Sequence, residues 1–283
     1  MKIPKKNGKT RTLHNPDQFM RVAQYQILKN ILEKVEIPEY IHAFEKKKTI
    51  PGMAAQHVQK SVVISVDLKD FFGSIKQYMV EEIFQIMGFG EKSARTLSEL
   101  CTYKTFVPQG ALTSPKLSNI VSAMTFGPPL KEYCDSISAA LTIYADDVTV
   151  SLGDATPELI TQIQDRILET VNLFGFKVNF EKQKVMYSSS RQYVCGVVVN
   201  EKVNLMKKER LKLRAIVHNV RQNGMESEAA KNQMAPAAFY SKILGKLNWF
   251  NQLNPLGAAP LIEEFKMYSE LYKNLAEVSE VQM

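Results

Sequence analysis

Residues 139–152 read AALTIYADDVTVSL, and residues 61–67 read SVVISVD. The first stretch is two β-branched runs meeting at Ala145-Asp146, the pattern of a tight hairpin whose tip carries Asp146 and Asp147. The second has the pattern of a short buried strand, and it delivers Asp67 into the turn-prone run DLKDFFGSI. Carboxylates emerging from an apolar sheet are costly unless something neutralises them. Hard divalent cations do so with oxygen ligands, and a pair of them supports in-line phosphoryl displacement. Adjacent acids in a turn are also ordinary solvated residues, so the pattern by itself leaves both readings open.

Working outward, Asp17 is placed to cap a helix through Phe19, Val22, Ala23, Ile27, Ile31, Leu32 and Val35, with Pro38 beyond its end. Helices are predicted over 77–87 and 92–103. Another starts at Ser114-Pro115, where Ser caps and Pro takes the first helical position, and Gly127-Pro128-Pro129 stops it. Thr156-Pro157-Glu158 opens a further helix closed by Gly175, and short strands follow near 176–179, 184–187 and 192–199. The order is therefore strand, helices, two strands, helix, strand. A boundary is expected near 200, after which the chain turns helical and basic, with Phe239, Ile243, Leu247 and Phe250 on one stripe.

The 283 residues are 45% hydrophobic and 23% charged, a balance that excludes a disordered or low-complexity chain. No apolar run reaches the ~18 residues of a membrane span, and the N-terminus lacks a signal-peptide core. A cytoplasmic protein without membrane association is expected. Cys101, Cys134 and Cys195 lack metal-site or disulfide spacing and are expected as packed thiols. The net charge of +7 is concentrated in residues 1–11, in Lys46 to Lys48 and in residues 202–221. Such clusters suit a polyanion, because each cation near a phosphate displaces condensed counterions.

Five ordered blocks carry a resemblance. They are Asp67-Leu68-Lys69-Asp70-Phe71-Phe72, the run Gln109 to Pro115, Tyr144-Ala145-Asp146-Asp147, Asn179 to Lys182, and Val194-Cys195-Gly196. Over about residues 5–200 their order resembles that of the reverse transcriptases, and most nearly the bacterial retron enzymes. Met53-Ala54-Ala55-Gln56-His57 resembles the retron NAxxH element with Met for Asn, and Val194-Cys195-Gly196 resembles its VTG element with Cys for Thr.

The resemblance implies an α/β (α+β) right-hand polymerase: fingers and a ferredoxin-like palm over 1–200, and a basic helical thumb over 201–283. It implies that Asp67, Asp146, Asp147 and the Leu68 carbonyl hold two Mg²⁺ ions, and that Lys182 protonates departing pyrophosphate. Phe72 would exclude a 2′-hydroxyl, with Phe71 as its core neighbour. Lys9, Arg11, Gln109 and Gly110 would contact the nucleotide, and Asp70 would be a solvated or helix-capping acid. RNA contacts would come from His57, Cys195, Gly196, Lys207, Lys208, Arg210 and Arg214, with Lys212 pointing elsewhere. His57 reads equally as a packed core residue, and a core role is expected for Tyr240 and Trp249.

The activity so implied is copying part of a cognate structured noncoding RNA into single-stranded DNA (msDNA) from deoxynucleoside triphosphates, primed by an RNA 2′-hydroxyl. A role in anti-phage defence beside a separate effector protein is implied with it. Two alternatives stay open: another bacterial reverse transcriptase class, intron-like or defence-associated, and a non-catalytic RNA-binding scaffold for an effector.

Overall fold

The computed structural model describes residues 2–4, 8 and 10–269. The chain forms two compact units, divided between Gln192 and Tyr193. In the first, β1 (Lys2–Pro4) pairs antiparallel with β2 (Thr10–Thr12). Then follow α1 (Gln18–Asn30), a 3₁₀ turn (Leu32–Lys34), α2 (Ile50–Ala55) and β3 (Val62–Asp67). Four helices come next in α3 (Phe71–Ser74), α4 (Gln77–Ile86), α5 (Glu91–Cys101) and α6 (Ser114–Met124). The unit continues through α7 (Gly127–Ser136), β4 (Ala140–Tyr144), β5 (Asp147–Leu152), α8 (Pro157–Leu173) and β6 (Lys184–Tyr187).

The strands β3 to β6 make one sheet in the order β4-β5-β3-β6, antiparallel throughout. With helices between β3 and β4 and between β5 and β6, this is the β-α-β-β-α-β arrangement of a ferredoxin-like palm. Register assigns the two faces. Val62, Ile64 and Val66 stand opposite Leu152, Val150 and Val148, and all join the main core with Leu117, Ile120 and Val121 of α6 and Ile160, Ile163 and Ile167 of α8. Each such aliphatic side chain contributes about 1.5–3 kcal/mol by burial, which is what holds the helices to the sheet.

The opposite face is polar towards the acids. After a row that includes Val63 and Ser151, its rows run Thr142, Thr149, Ser65, Lys184, and then Tyr144, Asp147, Asp67. The alternation that turns Val62, Ile64 and Val66 to the core thus delivers the acids to the other side.

Several elements depart from expectation. The core face of α1 carries Gln24 and Ile27, whereas Phe19 is 90% exposed; Gln24 is buried because its amide donates to the Leu100 carbonyl (2.9 Å) and accepts from the Leu112 N–H (3.2 Å). Asp17 does cap this helix, accepting from Met20 N–H at 2.8 Å. Gly127-Pro128-Pro129 opens α7 as well as following α6, since prolines fit the first turn, where N–H groups have no helical partner. The strand expected at 176–179 reduces to one bridge between Leu68 and Val178.

The second unit begins with a hairpin of β7 (Tyr193–Val194) and β8 (Val197–Val198), followed by α9 (Lys207–Asn223), α10 (Met225–Lys231), α11 (Pro236–Leu253) and α12 (Pro255–Met267). Phe239, Ile243, Leu247 and Phe250 form its core with Leu213, Val217 and Val220 of α9 and Phe265 of α12. Tyr240 is buried and stacks on Phe265. Among the described residues, no helix is long and apolar enough to cross a membrane.

Candidate active site

The β4–β5 hairpin closes in two residues, Ala145 and Asp146, because Tyr144 pairs with Asp147 across it. Ala145 takes φ +53°, a left-handed conformation that a residue with a Cβ adopts at a cost. The turn sets Asp146 beside β3, where the Leu68 N–H donates to the Asp146 carbonyl at 2.7 Å. Asp67 and Asp147 are direct partners in the β3–β5 ladder. Like charges placed so are destabilising, and each acid has found compensation.

Asp67 accepts two bonds from the Lys182 ammonium, at 3.0 and 2.9 Å, and one from the Asn179 amide at 3.0 Å. Asp147 accepts from the Ser65 hydroxyl at 2.9 Å. Burial pushes the Asp147 carboxyl up from 3.8 to about 6, the Asp146 and Asp67 charges adding to this, while the Ser65 bond and the Lys184 charge oppose it. A carboxylate this reluctant to ionise gains most from a nearby cation, and its hard oxygens match a Mg²⁺-like ion. The donor set fits such ions in chemistry. As arranged, however, no three His, Cys, Asp or Glu side chains among the described residues converge to hold one. Lys182 occupies both Asp67 oxygens instead.

Asp67 and Asp146 open onto a cleft of about 1140 Å³ in the first unit. Lys182, Phe72, Gln109 and Gly110 are among its other lining residues. Phe71 is buried against Phe176 and Phe72 is half-buried, and both rings line the cleft. Gly110 has φ +111°, and a Cβ there would meet the His14 carbonyl oxygen at 3.0 Å. The His14 N–H donates to the Gln109 carbonyl at 2.8 Å, so this loop lies tight against the segment that follows β2. Arg11 pairs with Ile3 in the β1–β2 ladder; its side chain and Lys9 lie outside the described residues. Asp70 is exposed at the N-cap position of α3 with no side-chain cap bond, while its carbonyl accepts from both the N–H and the hydroxyl of Ser74.

His57 is a correction. It is fully buried on the polar face of the sheet, with Nδ1 at 2.7 Å from the Ser151 hydroxyl and Nε2 at 2.8 Å from that of Thr142. A ring with no exposed surface and both nitrogens engaged cannot touch RNA. Burial, with the nearby charges of His42 and Lys60, drives its pKa down to about 4.

In the second unit, Cys195 and Gly196 form the β7–β8 turn, with φ +47° and +80°. Two positive values identify a type I′ turn. Cys195 is half-buried rather than packed, while burial raises the Cys101 and Cys134 thiols to about 12.

Along α9, Lys207, Arg214 and Arg221 share one stripe beside Arg210, whereas Lys208 lies with Lys212 about 100° away. Lys208 therefore stands apart from Lys207, Arg210 and Arg214, on the side to which Lys212 points. Arg210 is half-buried, with its Nε enclosed and unpartnered.

Residues 3–199 match the sequence family described as "Reverse transcriptase (RNA-dependent DNA polymerase)". The chain belongs to the reverse transcriptase family. Within it, the chain is 29% identical to the Retron Ec86 reverse transcriptase of Escherichia coli over 211 residues, or 74% of this chain and 65% of that one. It is 32% identical to the Retron Mx65 reverse transcriptase of Myxococcus xanthus over 234 residues, 76% of this chain and 54% of that one. It thus spans about 54% to 65% of the length of these relatives. Among solved structures, telomerase from Candida albicans, in complex with a fragment of telomeric RNA, superposes with a TM-score of 0.50 at 10% identity. That alignment covers 93% of this chain and 58% of that one, a likeness of fold. The right-hand polymerase class and the reverse transcriptase resemblance read from the motifs both hold.

Motif reading gave no role to Asn179 within its block and passed over Ser65 and Lys184, all of which set the environment of the acids. Ser65 was legible in principle, because residues two apart on a strand share a face. Asn179 and Lys184 reach the site through register and a loop, which spacing alone does not encode.

Proposed function

We propose that this chain is an RNA-directed DNA polymerase of the retron kind, copying part of a cognate structured noncoding RNA into single-stranded DNA (msDNA) from deoxynucleoside triphosphates. The observation that carries this reading is the trio of acids: Asp67 and Asp146 line a cleft that Phe72 and Gln109 also line, and Asp147 stands beside Asp67 as its partner in the ladder. Similarity to retron enzymes supports the finer class.

In this mechanism Asp67, Asp146 and Asp147, with the Leu68 carbonyl, would hold two Mg²⁺ ions. Such ions would supply activation of the primer hydroxyl and neutralisation of the triphosphate. Lys182 balances Asp67 in the resting site, and once released its ammonium is a proton source for pyrophosphate. The Phe72 ring narrows the cleft where a ribose 2′-hydroxyl would sit, which selects deoxynucleotides by exclusion. Gln109 and the close-approach Gly110 line the nucleotide side, and Arg11 and Lys9 grip phosphate oxygens.

The basic residues Lys207, Lys208, Arg210 and Arg214, with the Cys195-Gly196 turn, recognise the folded RNA by charge and shape. Priming from an RNA 2′-hydroxyl, a branched RNA–DNA product, a separate effector held in check in anti-phage defence, and a cytoplasmic location complete the reading. Purifying the protein from its native host and sequencing the bound nucleic acid, with and without RNase, tests it. A discrete single-stranded DNA joined to one RNA is expected. RNA without DNA in a wild-type preparation would overturn it.

A further inference from the structure

One side chain that lines the cleft has no part in the mechanism above. Phe44 is 51% exposed, lines the cleft, and stands 6.4 Å from Phe72, ring centre to ring centre. Its backbone has φ +60°, a conformation that is a genuine outlier for a bulky residue and persists only where the surroundings impose it.

The surroundings do impose it. On the N-terminal side, Ile41 and Ala43 are fully buried, and the chain is tied to the outer edge of β4 by His42 N–H to the Ile143 carbonyl (2.9 Å) and Ile143 N–H to the Tyr40 carbonyl (2.7 Å). On the other side, Glu45 forms a largely buried ion pair with Lys116 of α6 at 3.0 Å. Asn119 donates both to Glu45 (2.9 Å) and to the Ala43 carbonyl (2.5 Å). Lys48 closes the loop by donating to the carbonyls of Pro38 and Ile41, each at 2.7 Å.

A buried ion pair is weak support for stability, because the desolvation of both charges offsets their attraction. Its use here is positional. Three separate anchors hold a strained residue whose exposed part is an aromatic ring at the wall of a nucleotide-sized cleft.

We propose that Phe44 is a nucleobase-contacting residue, its exposed ring, tilted against Phe72, offering a face on which a base stacks. This rests on the polymerase reading and adds to it a contact that the sequence motifs do not include. A base of the incoming nucleotide and a base of the templating strand offer the same π-face, and kinetics separates them.

The test compares wild type, Phe44→Ala and Phe44→Tyr as full chains, measuring KM for deoxynucleotide and Kd for an annealed RNA-template primer. Loss of one stacked base weakens binding by roughly five- to 150-fold. A rise of that order in nucleotide KM at little-changed kcat, restored by Tyr, assigns the incoming base. The same rise in template-primer Kd, restored by Tyr, assigns the templating base. Phe44→Ala indistinguishable from an active wild type on both measures overturns this inference alone. A wild type that incorporates nothing removes the polymerase reading, and this inference with it.

Discussion

The buried His57 makes the palm acid-sensitive, and the size of the effect follows from its pKa. The imidazole titrates at 6.5 when free and at about 4 when folded, because burial between Ser151 and Thr142 disfavours its charged form. Below pH 6.5 the unfolded chain therefore binds a proton that the folded chain refuses, so stability falls as pH drops from 6.5 towards 4. At about pH 5 the deficit spans ~1.5 pH units, or roughly 2 kcal/mol at 1.36 kcal/mol per unit. His42, also lowered to about 4 by burial and the Lys48 charge, acts with the same sign. Asp147 acts oppositely, since its raised carboxyl holds a proton in the folded state between about 6 and 3.8. Both remain in a His57→Gln variant, so the difference between the two proteins isolates His57. Urea unfolding followed by far-ultraviolet circular dichroism, at about pH 7.5 and about pH 5, measures it. The variant is less stable at neutral pH, through its weakened hydrogen bonds, yet should lose roughly 2 kcal/mol less than wild type on acidification. Identical losses in both proteins would refute the reasoning.

Three further perturbations have defined outcomes. Phe72→Ala opens the cleft wall and should weaken discrimination against ribonucleotides roughly tenfold or more, read as the ratio of kcat/KM for the two sugars; unchanged selection removes Phe72 from that role. Gly110→Ala forces a Cβ to 3.0 Å from the His14 carbonyl at φ +111°, and should cost about 1–3 kcal/mol in thermal unfolding while raising nucleotide KM. Cys195→Asn places a residue that tolerates the left-handed region at the first central position of the type I′ turn, and should gain up to about 1 kcal/mol in the same melt.

The palm was the most legible part of the chain, because its signals are local. Alternating valines mark the strands, Asp17 and Thr156 cap their helices as read, and a two-residue gap between β-branched runs makes the hairpin. The same patterns placed Asp67, Asp146 and Asp147 at the strand end and hairpin, while their reading as one metal-holding set came from the resemblance. What the sequence withheld depends on long-range pairing. Phe19 reads as a core residue and Gln24 as a surface one, yet Gln24 is buried through bonds to Leu100 and Leu112, residues 76 and 88 positions away. His57 fits a binding motif and a core position equally well, and only the register that brings Ser151 and Thr142 to its two nitrogens decides between them. In the basic run of α9, Lys212 was already read as pointing elsewhere, and the continuous helix sets Lys208 with it, away from Lys207 and Arg214. Phe44 went unnoticed for a similar reason: its role depends on a loop held by Lys116 and Asn119, more than 70 positions further along the chain.

The most direct test of the account is template-directed incorporation of deoxynucleotides on an RNA template with Mg²⁺, comparing wild type with Asp147→Asn and Asp146→Asn. The account predicts extension by wild type and loss of extension in both variants, with RNA binding and thermal stability retained. A wild-type protein that binds RNA but incorporates nothing, or variants that extend as well as wild type, would contradict it.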